Sequence, residues 1–170
     1  DFADEAAIRR LYYPEAASLV RALTGASRVH VFDHTLGRRI DATEDRARGV
    51  PRQPATRVHV DQTERSGPAR LRFELPDEAQ ALLRERVRII NLWRPIGAPA
   101  WDRPLALCDA RSVDPGDLVA ADLVFPDRTG ETYAVLHNPD QRWSYVPGLA
   151  PEEALLIKCC DTAAVPARFT

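Results

Sequence analysis

Methionine is absent from these 170 residues, and lysine occurs once, as Lys158. The missing initiator predicts that the chain is part of a longer one. The formal net charge of -2 removes any electrostatic case for nucleic acid or an anionic membrane as partner. No apolar run approaches the roughly 20 residues that a spanning helix needs, and the start carries no secretory signal. Both absences predict a cytoplasmic protein. Cysteine is limited to Cys108, Cys159 and Cys160. An odd count with two neighbours argues against a disulfide framework and for buried free thiols. The eight glycines are dispersed, so no glycine-rich turn joins a strand to a helix. That weighs against a nucleotide-type cofactor, and therefore against a methyltransferase. Four histidines, none clustered, weigh against a zinc hydrolase.

What remains is an ordinary soluble composition, 45% hydrophobic and 28% charged, at a length that suits one domain over 1–170. Ile8, Leu11 and Tyr12 have helical spacing. Pro14 then opens a second helix with Leu19, Val20 and Leu23 as its buried stripe, ended by Thr24-Gly25. These N-terminal helices, within 1–26, also offer a face for a homodimer. Val29, Val31 and Phe32 read as a strand with His30 on its solvated side. Residues 36–56 are polar and rich in arginine, glycine and proline, which predicts a lid loop. Ser66-Gly67-Pro68 reads as a turn, and Pro76-Asp77-Glu78 starts a helix carrying Ala79, Leu82 and Leu83. Thereafter the pattern is mostly β: Val87–Trp93, Leu105–Cys108, Thr132–Leu136, Trp143–Val146 and Ala154–Cys159, with a helical turn at Pro115–Leu118. Short strands separated by proline and glycine predict a sandwich or barrel. The fold class expected is mainly β with flanking helices, α+β.

The run Arg57-Val58-His59-Val60-Asp61 concentrates the chemistry. Alternate side chains on a strand point the same way, so His59 and Asp61 share a face and Val58 and Val60 take the other. An imidazole and a carboxylate so placed supply two ligands of a facial 2-His-1-carboxylate iron site. A surface strand with a satisfied polar pair would give the same three letters. For a third ligand the chain itself offers only His30, His34 and His137, of which His137 follows the pair at a suitable distance in sequence. Asn91, Trp93 and Arg94 could bind a cofactor: the amide through a hydrogen bond, the indole as a wall, the guanidinium by pairing a carboxylate. A core tryptophan beside polar neighbours fits equally. Asp109 with Arg111 reads as an ion pair bracing a loop. Glu131 and Tyr133 share a face and could reach a pocket or be tied up in a buried pair.

Taken in order, several blocks resemble one family over nearly the whole chain. They are Phe32-Asp33-His34-Thr35, the His59 run, Asn91-Leu92-Trp93-Arg94-Pro95-Ile96, Asp109-Ala110-Arg111-Ser112, Gly130-Glu131-Thr132-Tyr133, Asn138-Pro139 and Lys158 to Asp161. The family is the hydroxylase/desaturase group of secondary metabolism, which includes gibberellin desaturase-like enzymes and the cephamycin 7α-methoxylation component. The Asn-Leu-Trp-Arg-Pro-Ile and Asp-Ala-Arg-Ser blocks carry most of the likeness.

The resemblance implies a double-stranded β-helix, that is, a jelly roll of cupin type. It also implies an Fe(II)- and 2-oxoglutarate-dependent dioxygenase that hydroxylates or desaturates a small-molecule natural product, with dioxygen as oxidant. His59 and Asp61 match the proximal iron ligands. In the family pattern a histidine, and then an arginine for the cosubstrate, follow the Ala-Arg-Phe-Thr segment. Here that segment is Ala167-Arg168-Phe169-Thr170, so the third ligand is expected beyond Thr170, with His137 as the substitute within the chain. The alternative is a non-catalytic jelly-roll binding protein with an incomplete metal site.

Overall fold

The computed structural model describes residues 2–37, 55, 57–126 and 128–163. The chain divides into two compact units, Asp1–Ala55 and Thr56–Thr170.

In the first unit a helix begins at α1 (Glu5–Ala7), passes through a π-helical stretch (Ile8–Tyr12) and continues as α2 (Tyr13–Thr24). Asp4 caps the start, its carboxylate accepting from the N–H groups of Ala6 and Ala7 at 2.9 and 3.1 Å. Gly25, with φ of 66°, ends it in the left-handed conformation. The two helices expected from the sequence are thus one. Pro14 was expected to start a helix because proline removes an N–H and crowds the carbonyl four residues back. The wider π turn just before it absorbs that defect, and the Tyr13 N–H bonds the Ile8 carbonyl instead. The expected buried stripe is also corrected. Ile8 and Ala16 are buried, whereas Leu19 and Leu23 are 40% and 64% exposed.

No strand forms over Val29–Phe32. His34 instead folds back on the helix, Tyr13 Oη lying 2.9 Å from its Nδ1 and Glu5 Oε2 3.1 Å from its Nε2. His30 is exposed, as expected. The expected lid at 36–56 falls almost entirely outside the described residues.

The second unit is antiparallel β with short helices. Its elements are β1 (His59–Val60), α3 (Ser66–Glu74), α4 (Ala79–Leu82), β2 (Arg88–Trp93), β3 (Ala106–Cys108), β4 (Leu118–Val124), β5 (Thr129–Val135), β6 (Trp143–Tyr145) and β7 (Leu155–Asp161). Single turns of 3-10 helix cover Ala110–Ser112 and Pro115–Asp117. The strands form three groups, ordered β1-β5-β4, β2-β7 and β3-β6. The helical turn at Pro115, the helix beginning near Ala79 and strands β2, β3, β6 and β7 lie where the sequence predicts them. Strand β4 was missed, because Leu118 is its sole residue that is not exposed and no alternation marks a core face.

Ser66-Gly67-Pro68 proves to be the first turn of α3 rather than a loop. Thr63 and Ser66 cap each other: the Ser66 hydroxyl accepts from the Thr63 N–H at 2.8 Å, and the Thr63 hydroxyl from the Ser66 N–H at 3.0 Å. That is a capping box with serine in the acidic position. Pro68 is the third residue of α3. Gly67 serves close packing, since a Cβ there would overlap the Cys160 sulfur on β7.

The β2–β7 ladder contains a bulge. Ile89 pairs with Cys160 and Ile90 with Lys158, which leaves Cys159 as the extra residue. Simple alternation would expose one of the two adjacent cysteines. The bulge buries both, at 1% and 8% exposure. All three cysteines are free and buried, as the composition suggests.

Candidate metal centre

Val60 anchors the site. Its side chain is fully buried and packs with Cys108 among Ala110, Val113, Leu118, Tyr133 and Val135. β1 pairs with β5 through His59 opposite Ala134 and Val60 opposite Tyr133. With Val60 committed to the core, its two neighbours emerge together on the other side. His59 Nε2 lies 3.3 Å from Asp61 Oδ1. The side chains remain 35% and 38% exposed, so the pair opens to solvent and is not a sealed ion pair.

The remaining polar atoms of both side chains are oriented. His59 Nδ1 is 2.9 Å from the Arg57 carbonyl. A carbonyl can only accept, so Nδ1 carries the hydrogen and Nε2 faces the carboxylate. Asp61 Oδ2 accepts from Asn91 Nδ2 of β2 at 2.5 Å. The hydrogen bond to Asp61 raises the His59 pKa above its ordinary value, against the opposing effect of burial. Without a proton on Nε2, two acceptors face each other at 3.3 Å, a repulsion that a bound cation would relieve. Two donors at that spacing lie within reach of one ion making bonds of about 2.0–2.2 Å. An imidazole pinned through its other nitrogen and a carboxylate pinned through its other oxygen are the usual surroundings of metal ligands. The residues present therefore fit a divalent metal.

Cys159 closes the far side of Asp61. Its Sγ is 4.0 Å from Oδ2 and 3.5 Å from the Ile157 carbonyl oxygen. Burial, followed by the Asp61 charge, pushes the thiol up to about 12. This is a neutral, unreactive sulfhydryl.

The segment after Asp61 is tied down independently. The Thr63 hydroxyl and the Arg65 guanidinium both bond the Glu131 carboxylate. The Ser66 hydroxyl lies 2.8 Å from the Glu131 carbonyl. These bonds, Thr63 foremost, hold the Glu131 carboxyl below its ordinary pKa. Glu131 is therefore one of a hydrogen-bonded group and not a pocket acid.

Of the other residues singled out by sequence, Trp93 and Arg94 follow Asn91 at the end of β2 and are half-buried. His137 is exposed and lies beyond the end of β5. The structure does not bring it to the pair. Among the described residues no third histidine, cysteine or carboxylate completes a metal-binding group with His59 and Asp61. His34 belongs to the helical unit. Asp109 braces the turn after β3, bonding Arg111 at 2.8–2.9 Å and Arg142 at 3.0 Å. Sequence reasoning missed two contributors. Cys159 enters only through the bulge. The partnership of Asn91 with Asp61 joins residues 30 apart and has no local signature.

The whole of 1–170 matches the family model described as "Oxidoreductase/YMDC permease-like domain". The chain belongs to this family. Its relatives include the hydroxylase/desaturase CTB9 of Cercospora beticola, 38% identical over 95% of this chain and 56% of that protein. The hydroxylase/desaturase efuI of Hormonema carpetanum is 31% identical over 94% of this chain and 60% of that one. Among solved structures, the iron and alpha-ketoglutarate-dependent endoperoxidase NvfI superposes with a TM-score of 0.87 at 28% identity, covering 98% of this chain and 60% of that one. This family member therefore spans about three fifths of the length of the curated relatives it matches. The jelly-roll expectation is borne out by the superposition. So is the likeness to the hydroxylases and desaturases of secondary metabolism. No described helix is long and apolar enough to cross a membrane.

Proposed function

We propose that the protein is an Fe(II)- and 2-oxoglutarate-dependent oxygenase that hydroxylates or desaturates a small natural product. The single observation carrying this reading is the 3.3 Å approach of His59 Nε2 to Asp61 Oδ1, with each group's other polar atom already engaged. The activities for which the relatives are named and the 0.87 superposition on an iron and alpha-ketoglutarate-dependent enzyme support it.

In this reading His59 Nε2 and Asp61 Oδ1 hold iron(II), two of the three protein ligands of a facial site. When bound with 2-oxoglutarate, the iron supplies the oxidation of an unactivated C–H bond by dioxygen, the cosubstrate leaving as succinate and carbon dioxide. The chain's own contribution is orientation. The Arg57 carbonyl fixes the imidazole tautomer, and Asn91 fixes the carboxylate rotamer. The buried Val60 side chain keeps both groups on the open side of the strand. A reducing, cytoplasmic compartment suits the three free buried thiols.

The test is anaerobic purification followed by metal analysis and an assay of succinate formation. The expected result is one iron per protein and turnover of 2-oxoglutarate, both lost in His59→Ala and Asp61→Ala. Tight binding of a small molecule without iron or turnover would instead identify a binding protein.

A further inference from the structure

We propose that Asn91 is a positioning residue that commits Asp61 to one-oxygen ligation, with the bulged Cys159 as its backstop. This inference deepens, and rests on, the metal reading of His59 and Asp61. A carboxylate has two oxygens that an ion can take together or singly. Here they are in different surroundings. Oδ1 faces the imidazole at 3.3 Å, and Oδ2 faces away toward β2, where Asn91 Nδ2 donates to it at 2.5 Å. A carboxylate only accepts, so the amide must present its nitrogen, and the assignment of Nδ2 over Oδ1 follows from that chemistry.

The clamp is held from behind. Asn91 sits in register with Ile157 of β7, two residues from the bulged Cys159. The Cys159 sulfur lies 4.0 Å from Asp61 Oδ2 and 3.5 Å from the carbonyl oxygen of Ile157, the residue paired with Asn91. The bulge, the amide and the buried thiol form one device whose effect is the direction in which Oδ1 points. Such outer contacts set metal affinity through ligand orientation. This assigns the amide of Asn91 to Asp61 and not to the cosubstrate.

The experiment uses the metal-free full-length protein, titrated with manganese(II) by calorimetry and with cobalt(II) by visible absorption. Asn91→Leu keeps nearly the same shape without a donor, and Asn91→Ala guards against a packing artefact of the leucine. The expected result is a manganese dissociation constant about 10- to 100-fold weaker in both variants. An altered cobalt spectrum and a metal-free melting temperature close to that of the parent should accompany it. A purely structural role would lower the melting temperature and leave the spectrum of the folded protein unchanged, which overturns the proposal. Unchanged metal affinity with a raised half-saturating 2-oxoglutarate concentration would make Asn91 a cosubstrate contact and also overturns it. His59→Ala separates the two levels. If it binds manganese as the parent does, the metal is elsewhere and the underlying reading fails. If it loses the metal while the Asn91 variants keep it, only the positioning role fails.

Discussion

Two antiparallel ladders of similar length differ in almost every respect that matters for function. The β4–β5 ladder is regular from Leu118 opposite Val135 to Val124 opposite Thr129. Its outer strand leaves Val119, Leu123 and Val124 at 46%, 44% and 81% exposure. The β2–β7 ladder is broken by a bulge, buries Ile89, Ile157, Cys159 and Cys160, and sends the Asn91 side chain to Asp61. At its end the Asp161 carboxylate, with only 2% of its side chain exposed, is bonded by Arg86 at 2.7 Å and Lys158 at 2.9 Å. The first ladder places the short β1 strand, and the second orients what β1 carries. Irregularity is concentrated where a side chain has to be aimed, as bulges near functional sites commonly are.

That contrast can be broken most forcefully at Val60, where β1 meets the first ladder and hands Asp61 to the second. Val60→Asp would bury a charge with no partner, at a cost on the order of 3–5 kcal/mol. Chemical denaturation should find the variant largely unfolded; a near-native midpoint would mean that Val60 does not anchor the strand. Next in size is Gly67→Ala, which drives a methyl group into Cys160 and should cost about 1–3 kcal/mol. Adding Cys160→Ala should recover much of that loss, and a double-mutant cycle without coupling would show that α3 does not press on β7 there.

Asp161→Asn should cost about 1–2 kcal/mol through weakened charge-assisted hydrogen bonds. It should also change the acid limb of stability. Arg86, then Lys158, holds the folded-state Asp161 carboxyl below its ordinary pKa. Its contribution is therefore complete above the ordinary carboxylate range and is lost as pH falls through the lower folded value. The variant's stability should decline less steeply on acidification, as followed by denaturation midpoints below about pH 4. The smallest effect is expected on the outer ladder. Leu123→Thr and Val124→Thr should each stay within about 0.5 kcal/mol of the parent and leave metal binding untouched. A large loss at either would erase the distinction between the ladders.

The parts of this fold that were legible from sequence are those with a local signal. Strand β2 announces itself by Ile89, Ile90 and Leu92, and the end of α2 by Gly25. The His59–Asp61 pair follows from the period of a strand and one buried valine. What escaped had its cause elsewhere in the chain or imitated something else. Ser66-Gly67-Pro68 has the composition of a turn, yet Thr63 caps it into a helix and the glycine is needed for contact with Cys160. Pro14 looks like a helix start, but a π turn lets the helix run through it. Val29–Phe32 has strand-like residues, and its histidine neighbour is bound by Tyr13 and Glu5 of the helix. The family resemblance supplied the jelly roll, whereas the support behind Asp61 required coordinates.

The pairing of β1 with β5 has a consequence for how this protein is made. His59 is fixed by Ala134, and Asn91, which steadies Asp61, is itself laid against Ile157. Synthesis proceeds from the N-terminus, so the imidazole and carboxylate leave the ribosome long before the strands that will hold them. Such distant pairings form slowly because a long loop must close first. The nascent chain therefore passes through a period in which its imidazole and carboxylate exist chemically but have no fixed geometry. If the proposed iron reading holds, metal supplied during that period would meet an unfinished cradle, and loading should follow, not guide, the closure of the sheets.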